Sequence, residues 1–182
     1  MNIYTIGHST HDKSMFMQML RTAEINVLAD VRAFPASRKF PQFKQENLKV
    51  WLPKEGVEYK HFPLLGGRRL KSEYVQEELN NAWNNPSFHN YADYTLTKEF
   101  QQGIDELEKV AKHNQIAICC SERHPARWHR LLISNWLEAN GWKVYHLIEQ
   151  GRKVYIERHE LGKWGAMPII EKDGTVVYPN TK

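Results

Sequence analysis

The sequence predicts one α/β domain, a mostly parallel sheet of about five strands with helices on both faces, carrying a long insertion rich in aromatic and basic residues. Three observations predict it. Strand-like and helical stretches alternate from the first residues onward. The first strand, helix and strand fit inside about 30 residues, the span of one βαβ unit, which makes its two strands parallel. The stretch Gln115 to Cys120 is the most apolar strand and suits a central position, covered on both faces.

Taken in order, Asn2 to Ile6 reads as a short buried strand broken at Gly7. A polar turn, Gly7-His8-Ser9-Thr10, leads into Lys13 to Ala23, where Phe16, Met19, Leu20 and Ala23 recur at helical spacing. Thr10 or His11-Asp12 supplies the helix start. Ile25 to Val31 is the second strand and carries Asp30 and Arg32 at its end. Ala33 to Lys44, with two prolines and no period, is a loop. Glu46 to Trp51 is a short helix stopped by Pro53 and Gly56, and Val57 to His61 a third strand followed by Pro63 and the flexible Gly66-Gly67. The insertion, 68–95, shows weak helical spacing around Glu73 to Trp83; a lightly structured segment of this length inside a compact domain serves as a binding loop or lid.

Thr97 to His113 is a strong helix, with Phe100, Ile104, Leu107 and Val110 on one face. Pro125 is expected to open the next helix, where its missing N–H costs nothing, and Trp128, Leu131, Leu132, Trp136 and Leu137 bury one side until Gly141. Trp142 to Leu147 is a further strand, and Lys153 to Glu157 adds one more. Residues 148–182 are a C-terminal extension in which Ile169-Ile170 and Val176-Val177 flank Asp173-Gly174 as a hairpin. The chain is read throughout as a single domain, 1–182.

Its 182 residues suffice to bury a core, and 41% hydrophobic with 25% charged residues excludes wholesale disorder. No apolar run approaches the roughly 20 residues of a membrane helix. The chain opens without a basic region and apolar stretch, so a cytoplasmic protein with no membrane segment is expected. The two cysteines, Cys119 and Cys120, are neighbours on a strand and point to opposite faces, so they form no disulfide. Ligand spacing for zinc is lacking, and neither a metal nor a cofactor is expected. Formal charge is +4, and the basic residues cluster, with Arg32, Arg38, Lys39 and Lys44 in one stretch, Arg68, Arg69 and Lys71 in another, and Arg123, Arg127 and Arg130 in a third. Aromatic residues, including Phe34, Phe40, Trp83, Phe88, Tyr91, Tyr94 and Trp128, lie between them. Basic groups attract phosphate and aromatic faces stack on bases, which points to nucleic acid or a nucleotide as partner; the alternative is a basic surface over an aromatic core.

Polar density collects at three strand ends: His8, Ser9 and Thr10; Asp30 and Arg32; Ser121, Glu122, Arg123 and His124. In open parallel sheets the crevice outside the carboxyl ends of the strands binds ligands, so these residues are expected to converge. Glu122 either caps the following helix or serves as a general acid or base. Asp30 competes for that work, unless it only pairs with Arg32. His129 and Arg130 fall in the first turns of the helix, where Arg130 would clamp a phosphate and His129 transfer a proton or simply pack. His8-Ser9 is too local to be a nucleophile pair, and Cys120 is either a nucleophile or a small buried hydrophobe.

Several of these motifs occur together and in order: Ile6-Gly7-His8-Ser9; Asp30-Val31-Arg32 with Pro35 and Ser37; Leu65-Gly66-Gly67; Tyr91-Ala92-Asp93-Tyr94; and Cys120-Ser121-Glu122 with His129-Arg130. The chain thereby resembles the domain of unknown function 488 family over roughly residues 3 to 147. The family pattern has Cys-Ala-Glu and then Cys-His-Arg; here Ser121 stands for the alanine and Trp128 for the second cysteine, which disfavours any dithiol chemistry. The resemblance implies a shared site of Asp30, Arg32, Glu122, His129 and Arg130, supports the α/β reading, and carries loose DNA-repair associations. It names no reaction.

The expected function is an enzyme on nucleic acid or a nucleotide, a repair-type hydrolase or base glycosylase. Glu122, Asp30, His129 and His8 are its catalytic candidates. Ser9, Arg32, Ser37, Gly66, Gly67, Tyr94, Cys120 and Arg130 would hold substrate, and Arg38, Lys39, Arg68 and Arg69 would hold the nucleic-acid backbone. Aromatics of 68–95 would stack on or wedge a base. The alternatives are a small-molecule enzyme on a phosphorylated or nucleotide-like metabolite, and a non-catalytic nucleic-acid binder.

Overall fold

A computed structural model describes residues 1–181. Strands β1 (Asn2–Gly7), β2 (Val27–Asp30), β3 (Glu58–His61), β4 (Ile116–Cys120), β5 (Lys143–Gln150) and β6 (Lys153–Arg158) form one sheet in the order β3-β2-β4-β1-β5-β6. All neighbours are parallel except the β5-β6 hairpin. The sheet thus has six strands where about five are legible. A separate two-stranded ladder joins β7 (Ile169–Ile170) to β8 (Val176–Val177), the hairpin read at Asp173-Gly174.

Helices α1 (Lys13–Thr22) and α2 (Gln45–Lys54) carry the chain from β1 to β2 and β3 on one face. Helices α4 (Lys98–Ala111) and α5 (Arg130–Ala139) return it to β4 and β5 on the other. Strand alternation sorts the two cores. Val27 and Ala29 join Phe100, Ile104, Leu107 and Trp136, whereas Leu28, between them, joins Phe16, Leu20, Leu48 and Leu52. β4 is buried along its whole length, Ile116 and Ile118 feeding one core and Ala117 and Cys119 the other. The cysteines therefore face opposite ways, and both are free thiols.

The helix starts follow local chemistry. Asp12 accepts the Met15 N–H at the start of α1, and Thr97 accepts that of Phe100 at the start of α4. Three sequence readings differ from the structure. α2 runs through Pro53 to Lys54, because a proline in the last turn forfeits one hydrogen bond without breaking the turns before it. In the insertion only Glu77–Asn80 coils, as a 3-10 turn; the helix is α3 (Pro86–Tyr94), started by Asn85, which accepts the Ser87 N–H ahead of a first-turn proline. Pro125 does not open α5. His124 accepts the Ala126 N–H and receives the Arg127 N–H on its carbonyl, closing a local turn, and α5 begins at Arg130.

The C-terminal extension belongs to the core. Tyr178 is buried, and its backbone exchanges hydrogen bonds with Leu79 and Ala82, tying the tail to the insertion. No described helix is long and apolar enough to cross a membrane.

Strand order also makes the crevice. From β1 the chain leaves toward β2 on one face, and from β4 toward β5 on the other, so adjacent strands release their loops in opposite directions. Beyond the strand ends the pairing continues, with His8 N–H donating to the Cys120 carbonyl (2.9 Å) and Ser9 N–H to that of Ser121 (3.1 Å). The two loops press together so closely that a Cβ on Gly7 would lie 1.8 Å from the Glu122 carbonyl oxygen. Gly7→Ala is accordingly expected to destabilise the fold by about 1–3 kcal/mol. A lowered urea midpoint at unchanged slope would register it; an unchanged midpoint would show that the two loops separate freely.

Candidate functional site

Two adjoining cavities occupy the crevice. The first, about 460 Å³, is lined by His8 after β1, Arg32, Phe34 and Ser37 after β2, Gly67 and Arg68, Cys120, Ser121 and Glu122 after β4, and Arg127, Trp128 and His129. The second, about 1060 Å³, continues from it over Ser9, Arg38, Lys39, Phe40, Arg123 and the β5-β6 end.

Asp30 does not line either cavity. Fully buried, it points at the α1/α2 core and is filled: Arg32 donates its Nε (2.9 Å), Nη2 (2.7 Å) and backbone N–H (3.1 Å), and the Tyr59 hydroxyl donates at 2.6 Å. With its acceptor sites taken, Asp30 holds Arg32. Burial works against the Arg32 charge, but its hydrogen bonds to Asp30 and the Asp30 charge outweigh it and keep the guanidinium ionised. Arg32 Nη1 reaches the His8 Nε2 at 3.2 Å, and His8 Nδ1–H donates to the Ser9 carbonyl. That pattern requires a neutral imidazole with its lone pair on Nε2. Burial and then the Arg32 charge lower the His8 pKa to about 4. Its ring stacks on Phe43 at 4.5 Å.

His129 is neutral for a similar reason. Its Nε2–H donates to the Val31 carbonyl at 2.9 Å, its Nδ1 has no partner among the described residues, and burial lowers its pKa to about 4. Burial raises the Cys120 thiol, the opposite of what a nucleophilic cysteine needs. Glu122 is the only carboxylate lining the first cavity; it is half-buried and enters no ion pair among the described residues.

Other sequence candidates are located elsewhere. Arg130, expected to grip phosphate, is fully buried and donates to the Thr5 hydroxyl (3.0 Å) and to the Glu122 and Arg123 carbonyls, bracing the crevice wall from behind. Arg69 donates to three backbone carbonyls and lies over the Tyr94 ring, so it is structural. Tyr94 spends its hydroxyl on the Leu64 carbonyl, outside the crevice. Gly66 and Gly67 are tight packing positions and not flexible ones: a Cβ on Gly66 would meet the Ala33 backbone at 2.8 Å, and one on Gly67 the Trp128 indole at 2.7 Å. Of the two, only Gly67 lines a cavity.

The insertion contributes Arg68 and none of its aromatics. Trp83 and Phe88 stack on each other and pack toward Tyr178 and Trp128. The crevice aromatics are Phe34, Phe40 and Trp128. Phe34 is 72% exposed with the Arg68 guanidinium 5.6 Å over its ring. The sequence groups these, with Arg127 and Ser121, in its basic clusters and strand ends but gives none of them a role of its own in catalysis or binding. Ser9 (φ 44°) and Arg68 (φ 61°), both lining the crevice, hold left-handed backbone that non-glycine residues rarely adopt, strain of a kind that gathers at functional sites.

Behind the crevice runs a continuous buried chain. Arg130 donates to Thr5, Thr5 to His146 Nδ1 (2.6 Å), His146 to His159 (2.9 Å), His159 to the side-chain oxygen Oδ1 of Asn135 (2.7 Å), and Asn135 to the Tyr178 hydroxyl (3.1 Å). It ties the tail to the loop bearing Glu122 and keeps every polar group along it satisfied except Arg130 Nε.

Compared with known families, residues 13–137 match the model described as Domain of unknown function DUF488. No curated protein and no solved structure matches the chain.

His8, His129 and His159 all have their pKa lowered from 6.5 to about 4, burial being the largest cause. The unfolded chain therefore binds more protons than the folded one between these values. The stability they contribute is full above pH 6.5 and drains as the pH falls toward about 4. The urea midpoint is expected to drop between about pH 7 and about pH 5, and to drop less steeply in His129→Phe. A flat midpoint over that interval would mean that these imidazoles ionise as freely folded as unfolded. Asp30→Asn, which leaves Arg32 buried without its counter-charge, is expected to cost about 3–5 kcal/mol by the same measurement.

Proposed function

The chain belongs to the DUF488 family, and from the chemistry of its crevice we propose that it is a hydrolytic enzyme acting on a nucleic acid or nucleotide, of the base-excising glycosylase type. The observation that carries this is Glu122: a carboxylate with no ion-pair partner among the described residues, in a cavity whose lining includes the cations Arg32, Arg68 and Arg127 and the aromatic side chains of Phe34 and Trp128. Arginines suit phosphate, aromatic faces suit a base, and a single carboxylate suits the activation of water beside a developing oxocarbenium centre. Arg68 and Arg127 bind the phosphate, and Arg32, held in one orientation by Asp30, presents its remaining Nη1–H at the cavity wall. Phe34 and Trp128 offer ring faces to the base, and Glu122 takes the proton of the attacking water.

Phosphodiester cleavage fits less well. Without a metal it would ask His8 or His129 to protonate a leaving oxygen, yet both are held neutral with Nε2 already engaged. A second reading, a phosphorylated or nucleotide-like metabolite, is favoured by the size of the first cavity, about 460 Å³, ample for one small ligand.

Incubating the protein with damaged and undamaged oligonucleotides, then alkali, is expected to reveal strand breaks at abasic sites. Glu122→Gln should slow that reaction about 10²–10⁴-fold while oligonucleotide binding persists. Wild-type rates in Glu122→Gln would remove Glu122 from the chemistry, and turnover of free nucleotides alone would favour the metabolite reading.

A further inference from the structure

The two cavities form one channel. They share His8, Ser37, Ser121, Glu122 and Arg127, so Glu122 stands on the wall common to both. Resting on the reading of the first cavity as a nucleotide site, we infer that the second cavity seats the flanking nucleotides of a single-stranded nucleic acid, and that the substrate is a strand laid past Glu122 and not a free nucleotide.

Size is the first argument. The first cavity, about 460 Å³, accommodates one nucleotide, while the second, about 1060 Å³, is larger than such a unit needs and adds no unpaired acid of its own. Charge is the second. The two carboxylates that the second cavity adds are already neutralised, Glu149 by Arg123 and Glu157 by Lys163 at 2.6 Å. Arg38, Lys39 and Arg127 enter no ion pair among the described residues, so an uncompensated row of cations runs from Arg68 in the first cavity through Arg127 to Arg38 and Lys39 in the second. A row of cations matches a repeating phosphate backbone.

Aromatic placement is the third. Phe34 and Trp128 in the first cavity and Phe40 in the second place aromatic side chains along the same path, which bases use and an acidic peptide would not. A nucleotide in a duplex must first be flipped out at the cost of its stacking and pairing, whereas an unpaired strand presents its sugar and base to the half-buried Glu122 without that cost.

The test measures fluorescence anisotropy of a labelled single strand of about eight nucleotides, and calorimetric titration of adenosine monophosphate, on the wild-type chain and on Arg38→Ala/Lys39→Ala. Both substituted residues are exposed, so the variant is expected to unfold at the wild-type urea midpoint. Strand affinity should fall about tenfold or more in the variant, and the slope of log affinity against log salt should shrink by about 1.4, two single-strand phosphate contacts, with adenosine monophosphate binding unchanged. If the variant binds the strand as the wild type does while the mononucleotide still binds, the second cavity is idle and only the nucleotide reading survives. If the wild type binds neither probe, both readings fall. Displacement of the strand by polyglutamate or by a blunt duplex as readily as by unlabelled strand would also overturn the inference, since the channel would then answer to charge alone or to paired DNA.

Discussion

The contact on which the crevice depends is the pressing together of two backbones at the carboxyl ends of β1 and β4. Parallel pairing continues past the strands through His8 and Ser9, and only the absence of a side chain at Gly7 lets the Glu122 carbonyl come so near. Because the two strands release their loops to opposite faces, this is also the point where the sheet opens. The same contact that closes the sheet therefore sets Glu122 at the mouth of the opening. Arg130 reinforces it from behind, its Nη2 reaching the Glu122 and Arg123 carbonyls and its Nη1 reaching Thr5.

Around that contact, buried charge is used for position and exposed charge is left for a ligand. Asp30, Arg32 and Tyr59 saturate one another, and Arg32 in turn fixes His8 as a neutral acceptor. Such a network is weak evidence of stability by itself, because desolvation consumes much of what the ion pair returns. Its consequence is a guanidinium held in one orientation at the cavity wall. The outer cations Arg38, Lys39, Arg68 and Arg127 are instead exposed.

The tail extends this economy across the molecule. Through Tyr178, Asn135, His159 and His146 it reaches Thr5 and Arg130, so the last strand pair is linked by hydrogen bonds to the loop that carries Glu122. Low dielectric strengthens each bond in such a chain, and the same burial penalises a charged imidazole, which is why its histidines stay neutral.

The amino-acid pattern alone determined the α/β class, the alternation of strands and helices, the terminal hairpin and the convergence of His8, Arg32 and Glu122 at strand ends, because period, turn chemistry and apolar runs are local properties of the chain. It also suggested that Asp30 and Arg32 pair, since two residues on one strand end are bound to meet. What it left open were strand order and the fate of each polar side chain. Arg130 and Arg127 look alike in sequence, yet one is sealed behind the crevice and the other lines it; Tyr94 and Phe34 are equally aromatic, yet only Phe34 faces the opening. Those differences arise because burial is decided by what packs over a residue from distant parts of the chain, and only the assembled tertiary structure contains that information.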